Sequence, residues 1–171
     1  MSQPFWNFSL AVYRASAVQD ECLNLQDQFG LDVNLVLLCA YLGAIHGVAL
    51  TSDDIASARQ EVQQWQEQIV RPLRAARRHL KNVELQDADA AKAAAKLRAQ
   101  VKAAELESER IEQTMLERWA EARFARWPRG KSSDTVTANL QALLAAYGVG
   151  RERLTVAQHI IAAALDRTAN E

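Results

Sequence analysis

The sequence predicts an all-α protein, built as a bundle of about seven helices. Its 171 residues include only six glycines and three prolines, too few for the many tight turns of a strand-rich fold. Alanine, leucine, glutamine, glutamate and arginine dominate, and these residues lose little side-chain entropy in a helix. Apolar residues also recur at steps of three and four along most of the chain, which is the spacing of one helix face.

Two short helices are predicted at the start of the chain. Pro4 suits the first turn of a helix over residues 4–14, because its missing N–H would be unpaired there in any case. Ser16 followed by Gln19 matches a capping box, which predicts the start of a second helix. Gly30 can adopt the left-handed conformation that ends this helix.

The third helix, residues 31–46, is apolar on all sides, which indicates that it lies inside the protein. Asp32 can cap its first turn, and Gly47 can close it. His46 is interpreted as a cation at the helix C-terminus, where the helix dipole favours positive charge.

A long antiparallel helical hairpin is predicted from the two longest apolar stripes. Thr51 and Asp54 form a capping box that starts a helix over about 52–83, kinked at Pro72 rather than ended by it. A second helix runs over about 88–126. The apolar stripe assigned to the first helix includes Trp65, Ile69, Leu73, Ala76, Leu80 and Val83. That of the second is Ala94, Leu97, Val101, Ala104, Ser108, Ile111 and Met115.

The last part of the chain is predicted to be a two-helix segment. Residues 127–134 contain proline, glycine and serines and form a linker. Helices are expected over about 135–147 and 153–167, so that residues 135–171 pack on the bundle formed by residues 1–126. The chain is expected to be a single domain overall.

The sharpest surface feature is a basic stripe in an otherwise acidic half. Residues 1–70 hold eight acids and two bases, whereas residues 71–81 hold five bases and no acid. The stripe is interpreted as a solvated face, as a contact for an acidic protein, or as a site for phosphate or nucleic acid. Its candidate interaction residues are Arg71, Arg74, Arg77, Arg78 and Lys81. Arg71, Arg74, Arg78 and Lys81 are expected to lie opposite Leu73, Ala76 and Leu80.

Two further groups of residues are candidates for function. Trp119, Phe124 and Trp127 crowd the end of the long helix, where they either pack against the C-terminal helices or form an exposed patch for a partner. Asp32, Asn34 and His46 are the candidates for a buried polar site. A buried Asn34 needs a hydrogen-bond partner, because an unsatisfied amide costs about 1–3 kcal/mol.

Several classes of chemistry find no support in the sequence. The three histidines have no ligand at helical spacing, and no nucleotide-binding or nucleophile motif is present, so neither a metal nor a cofactor is expected. The longest uncharged apolar run is 11 residues, from Leu35 to Ile45, short of the ~20 that span a bilayer. Cys22 and Cys39 indicate reduced, buried thiols, which favour a cytoplasmic protein.

The segment WNFSLAVY, followed by CLNLQDQFGLDVNLVLLCAYL and later by RPLRAARRHLK, resembles a family of small proteobacterial proteins known only as a domain of unknown function. The resemblance covers about residues 5–81. Tyr41 stands where the family usually has tryptophan, and Pro-Gly is common in the family near Ser16 and Ala17. The resemblance implies a bacterial, cytoplasmic, helical protein, and it supplies no catalytic residues.

The sequence therefore favours a non-enzymatic cytoplasmic protein that binds another macromolecule, most simply a protein. A homo-oligomer is compatible with this interpretation. One alternative is a small-molecule binder or enzyme with a polar site at the head of the third helix. A second alternative is a nucleic-acid or ribosome-associated protein that uses the basic stripe.

Overall fold

The computed structural model describes residues 3–124 and 133–169, and within these ranges every regular element is helical. The prediction of an all-α fold is therefore confirmed. The described α-helices are α1 (Pro4–Tyr13), α2 (Val18–Phe29), α3 (Val33–His46), α4 (Ser52–Trp65), α5 (Arg71–Lys81), α6 (Ala88–Arg123), α7 (Ser133–Ala146) and α8 (Gln158–Ala169). A π-helical segment, Gln66–Val70, precedes α5, and a 3-10 helical segment, Arg151–Ala157, precedes α8.

The chain divides into two compact units, and α3 is the central helix of the first. This unit comprises Met1–Glu61 with Gln113–Glu171, and the second comprises Val62–Glu112. Every residue of α3 from Asn34 to Ala44 is buried. The helix is surrounded by α1, α2, α7 and α8. The apolar third helix therefore builds the core of this unit, as its composition predicts.

Close packing of α3 against α7 depends on Gly43. A β-carbon at Gly43 would lie 2.8 Å from both the Cα and the backbone nitrogen of Val136. No side chain fits at that distance, so the two backbones approach each other where α3 has no side chain. On another side of α3, the ring of Phe5 stacks on Tyr41 with 5.2 Å between centroids, which fixes α1 against the core.

The ends of α3 form as predicted, but the start of α2 does not. Asp32 Oδ1 accepts a hydrogen bond of 2.9 Å from the backbone N–H of Asn34, and Gly47 closes the helix at φ 64°. The predicted capping box at Ser16 is wrong, because α2 begins at Val18 and has no side-chain cap. The residue before it, Ala17, has a left-handed backbone conformation, with φ at 64°.

Two polar side chains connect distant segments of the first unit. Asn139 of α7 is fully buried, and its amide bonds to the Cys39 carbonyl at 3.2 Å, the Val48 carbonyl at 2.8 Å and the Leu50 N–H at 2.8 Å. The carboxylate of Glu21 accepts bonds of 3.0 Å from two backbone N–H groups at the start of α8. Glu21 therefore caps α8 across the tertiary structure rather than from its own helix.

The second unit is an antiparallel helical hairpin, which confirms this part of the predicted architecture. The end of α4, the π-helical segment and α5 form its first arm, and the residues of α6 up to Glu112 form the second. Trp65 Nε1 donates to the Ser108 carbonyl at 3.0 Å, while Arg74, further along, pairs with Glu105 at 3.1 Å. The arms therefore run in opposite directions.

The hairpin helix passes through Pro72 without ending. The N–H of Arg71 bonds to the carbonyl of Gln66, five residues earlier, so the turn before the proline is widened. The helix ends at Lys81 rather than at residue 83, and α6 ends at Arg123 rather than at 126. Most of the predicted linker, including residues 127–132, lies outside the described residues, and α7 begins at Ser133.

Candidate interaction surface

The three residues of the predicted polar site do not lie together. Asp32 and Asn34 are at the start of α3, and His46 is at its end, about 18 Å away at ~1.5 Å per residue. Asn34 Oδ1 accepts a bond of 2.9 Å from Gln113 Nε2, and both side chains are buried. The partner that Asn34 requires is thus a side chain of α6, which accounts for this buried amide without a ligand.

His46 is the last residue of α3, as predicted, but its burial disfavours the positive charge that was expected there. Burial lowers its pKa below the ordinary value of 6.5, so the ring is neutral at pH 7. The ring packs edge-on against Tyr41, with 5.0 Å between centroids. Desolvation by burial is the cause of the lowered pKa.

Neither cysteine has the properties of a reactive thiol. Cys22 and Cys39 are free and buried, and burial raises the pKa of Cys22 to about 12. A thiol with such a pKa is almost wholly protonated at neutral pH and is a poor nucleophile. Within residues 3–124 and 133–169, no three His, Cys, Asp or Glu side chains are placed to hold a metal ion.

The aromatic end of α6 is partly packed. Trp119 Nε1 donates to Ser57 Oγ at 3.1 Å, and the rings of Trp119 and Phe124 meet edge to face at 5.9 Å. Both rings are half-buried. Trp119 thus contacts α4. One of the two expectations had been that these aromatic residues pack against the C-terminal helices. Trp127 lies outside the described residues, so an exposed aromatic patch stays a prediction.

The predicted basic stripe is divided between the interior of the hairpin and its surface. Arg74 pairs with Glu105 at 3.1 Å and with Glu109 at 2.6 Å, and Arg77 also pairs with Glu105. Burial alone lowers the pKa of Arg74, but the two glutamates outweigh this effect and raise its pKa above the usual value. The expectation that Arg74 lies on the outer side of the helix is wrong. The stripe residues that are exposed are Arg71, Arg78 and Lys81.

The contact between the two arms of the hairpin is polar where an apolar contact was predicted. Glu105, Ser108 and Glu112 are the buried residues of α6 in this unit. Gln66 Nε2 contacts the carboxylate of Glu112 at 3.3 Å. By contrast, several members of the predicted apolar stripes are exposed, namely Ile69, Ala76, Val83, Leu97, Ala104 and Ile111. In the first arm the buried line is displaced by about one residue from the predicted line. In α6, Ser108 is buried as predicted, but Glu105 and Glu112 are buried in place of their neighbours Ala104 and Ile111.

This displacement gives the hairpin two different faces. On the side marked by the bond from Trp65 to Ser108 lies an apolar face, formed by Trp65, Ile69, Ala76, Leu97, Ala104 and Ile111. On the side marked by the Arg74 to Glu109 pair lies a basic face, formed by Arg71, Arg78, Lys92 and Lys102 around the exposed Leu106. In an antiparallel pair of helices, residues that are rotated in the same sense from the buried line of each helix lie on the same side of the pair. Each face of the hairpin therefore contains residues of both arms.

Residues 4–116 match the model of a protein family described as Protein of unknown function (DUF2390). The chain belongs to this family. No curated protein and no solved structure matches the chain. The resemblance seen in residues 5–81 is therefore confirmed, and the DUF2390 match extends beyond it along α6.

The DUF2390 match contains the whole of the hairpin unit, residues 62–112, with both of its faces. Trp119 and Phe124 lie beyond it. Among the described residues, each helix is too short or too polar to cross a lipid bilayer.

Proposed function

We propose that this DUF2390 protein is a non-enzymatic, cytoplasmic protein that binds an acidic protein through the basic face of its hairpin. The observation that carries the proposal is that the side chains of the basic face are exposed, although Arg74 and Arg77 of the same stripe are turned toward glutamates of α6. Arg71 and Arg78 on α5 and Lys92 and Lys102 on α6 all remain at the surface. The cytoplasmic location is supported by the two free, buried thiols.

A protein fits this face better than a nucleic acid does. Leu106 is 50% exposed among the bases, and an apolar side chain within a charged surface is typical of protein interfaces. Trp65 is the one aromatic residue of types Phe, Trp and Tyr in residues 62–112, and it lies on the opposite face. Single-stranded nucleic acid is usually bound by stacking on aromatic rings between the bases.

The test is affinity capture from cell extract with the triple variant Arg71→Glu, Arg78→Glu and Lys102→Glu. We expect the variant to recover at least about 10-fold less of an acidic partner protein than the wild type does, because like charges then face each other. Arg14→Glu, an exposed charge reversal in the other unit, is the matched control and should capture as the wild type does. Circular dichroism verifies that each variant is folded.

Two results would contradict the proposal. Equal recovery of every protein by the triple variant and the wild type would show that the basic face is not the contact. Loss of the captured material after nuclease treatment would favour the nucleic-acid alternative, and its binding should then weaken steeply as salt rises.

A further inference from the structure

We propose that the apolar face of the hairpin is a homodimer interface, on which a second copy of this chain packs with the same face. The inference is separate from the proposed function, which uses the other side of the hairpin. It rests on the composition, area and charge of the apolar face. The resulting contact would be isologous, with each copy offering the same residues to the other.

The exposed flank of α6 has the pattern of a helix interface without a partner. The residues of this flank recur at steps of three and four, and all six are exposed. They are Ala93, Leu97, Gln100, Ala104, Glu107 and Ile111. Leu97 is 49% exposed and Ile111 is 39% exposed, while Ile69 on the facing arm is 37% exposed. Ile69, Leu97 and Ile111 are three of the seven large apolar side chains that are exposed in the described residues, and all three lie on this face. Such a concentration is typical of an interaction site.

The size of the face is sufficient for a dimer. From Ala93 to Ile111 the helix is about 27 Å long, and two adjacent helices are about 20 Å wide with their side chains. Each copy therefore offers roughly 500–600 Å², which gives about 1,000–1,200 Å² in total, at the lower end of specific interfaces. We expect a dissociation constant in the micromolar range, about 1–100 µM.

Charge decides which occupant fits this face. Glu107 is the one charged residue among the six flank positions, and it pairs with Arg110 of its own helix at 3.7 Å. An acidic partner would gain little there, since Arg110 is already paired with Glu107 and the four bases of the basic face lie on the other side of the hairpin. Two copies joined by their apolar faces keep their basic faces apart, so that like charges do not meet. Alanines at positions 76, 93 and 104 also allow the helices of the two copies to approach closely.

The decisive experiment is sedimentation equilibrium of the full chain over about 1–200 µM, with Leu97→Glu and a matched control. We expect a wild-type dimer and an approximately 100-fold weaker association in Leu97→Glu, because a charge would be buried against an apolar surface. Leu106→Glu is the control, since Leu106 is 50% exposed on the same helix but lies on the basic face. It should dimerise as the wild type does. A wild type that is monomeric at every concentration, or equal loss in both variants, would overturn the inference.

Cross-linking gives a second readout that does not depend on affinity. The chain has two cysteines, both buried, so a new surface thiol would be the reactive one. Ala104→Cys should give a covalent dimer with a short bis-maleimide, whereas Ala103→Cys, which is exposed on the other side of α6, should not. Cross-linking of both variants alike, or of neither, would contradict the proposed interface.

The two proposals can fail separately. A monomeric wild type that still captures an acidic protein through the basic face would sink the dimer and leave the proposed function standing. If Leu97→Glu abolishes a wild-type dimer but no protein is captured through Arg71, the dimer interface stands and the proposed function is contradicted.

Discussion

Replacement of Asn139 should be among the most damaging single changes in the first unit. This side chain is 0% exposed and bonds to groups that belong to α3 and to the loop after it. Its Nδ2 donates to the carbonyls of Cys39 and Val48, at 3.2 Å and 2.8 Å, and its Oδ1 accepts from the N–H of Leu50 at 2.8 Å. One amide therefore satisfies backbone groups that the fold would otherwise bury unpaired.

The expected cost of Asn139→Ala follows from these groups. The Val48 carbonyl and the Leu50 N–H lose their bond, and each buried unsatisfied group costs about 1–3 kcal/mol. The Cys39 carbonyl loses less, because it lies inside α3 and also accepts the regular helical bond. Allowing for partial relief by water, we expect a loss of about 3 kcal/mol, a large fraction of the 5–15 kcal/mol typical of a domain.

Urea denaturation monitored by circular dichroism at 25 °C measures this loss. Asn7→Ala, at an exposed position of α1, is the control and should change stability by less than about 0.5 kcal/mol. Asn139→Asp keeps the acceptor but turns a carboxylate toward two carbonyls, so at pH 7 it should destabilise at least as much as alanine does. A cost below about 1 kcal/mol for Asn139→Ala would refute the reasoning.

Three further predictions concern other positions of the first unit. Gly43→Ala should cost about 1–2 kcal/mol in urea denaturation, since the clash with the Val136 backbone outweighs the better helix propensity of alanine; a neutral effect would show that the helices separate freely. Ala17→Gly should raise stability by about 0.5–1 kcal/mol, because φ is 64° there; no gain would mean that the strain is absent. For Asp54, burial acts to raise the pKa, but hydrogen bonds from Thr51, three residues earlier, and from Arg123 lower the pKa overall. Its contribution is therefore present above a pH of about 4 and lost as pH falls through the lower folded-state pKa, so Asp54→Asn should destabilise at pH 7, and its difference from the wild type should shrink as pH falls below about 4. Convergence at pH 7 instead would contradict this.

The helices and their caps could be predicted because their causes are local in sequence. Asp32 and Gly47 bound α3 as expected, and the capping box at Thr51 forms, with a bond of 2.9 Å from its N–H to Asp54. These features depend on residues within four positions of each other. Ala17 was missed because a left-handed alanine has no local sequence signal.

The polar contacts between segments could not be predicted in the same way. Asn34 clearly needed a partner, but nothing near it in sequence indicates Gln113, which lies 79 residues later. The same holds for Glu21, which caps a helix that starts more than 130 residues away in the chain. From the sequence alone, an amide or a carboxylate on a helix is interpreted as a solvated residue. Only the fold shows which distant groups it hydrogen-bonds to.

The predicted register of the first arm of the hairpin failed at the turn before Pro72, and this failure accounts for that arm's contribution to the two faces. Ile55, Ala58 and Val62 are buried as expected, but the next buried residues are Gln66 and Val70 instead of Trp65 and Ile69. The widened π-helical turn adds about one residue, which rotates the following helix by about 100° relative to a regular repeat. The widened turn also relieves the conflict between a proline ring and the carbonyl four residues earlier, so the helix can continue. The rotation brings Arg74 and Arg77 to the glutamates of α6 and moves the apolar stripe of the first arm out to one flank. An apolar pattern that continues through a proline can therefore indicate an exposed binding face as well as a core, depending on whether the turn before the proline is regular or widened.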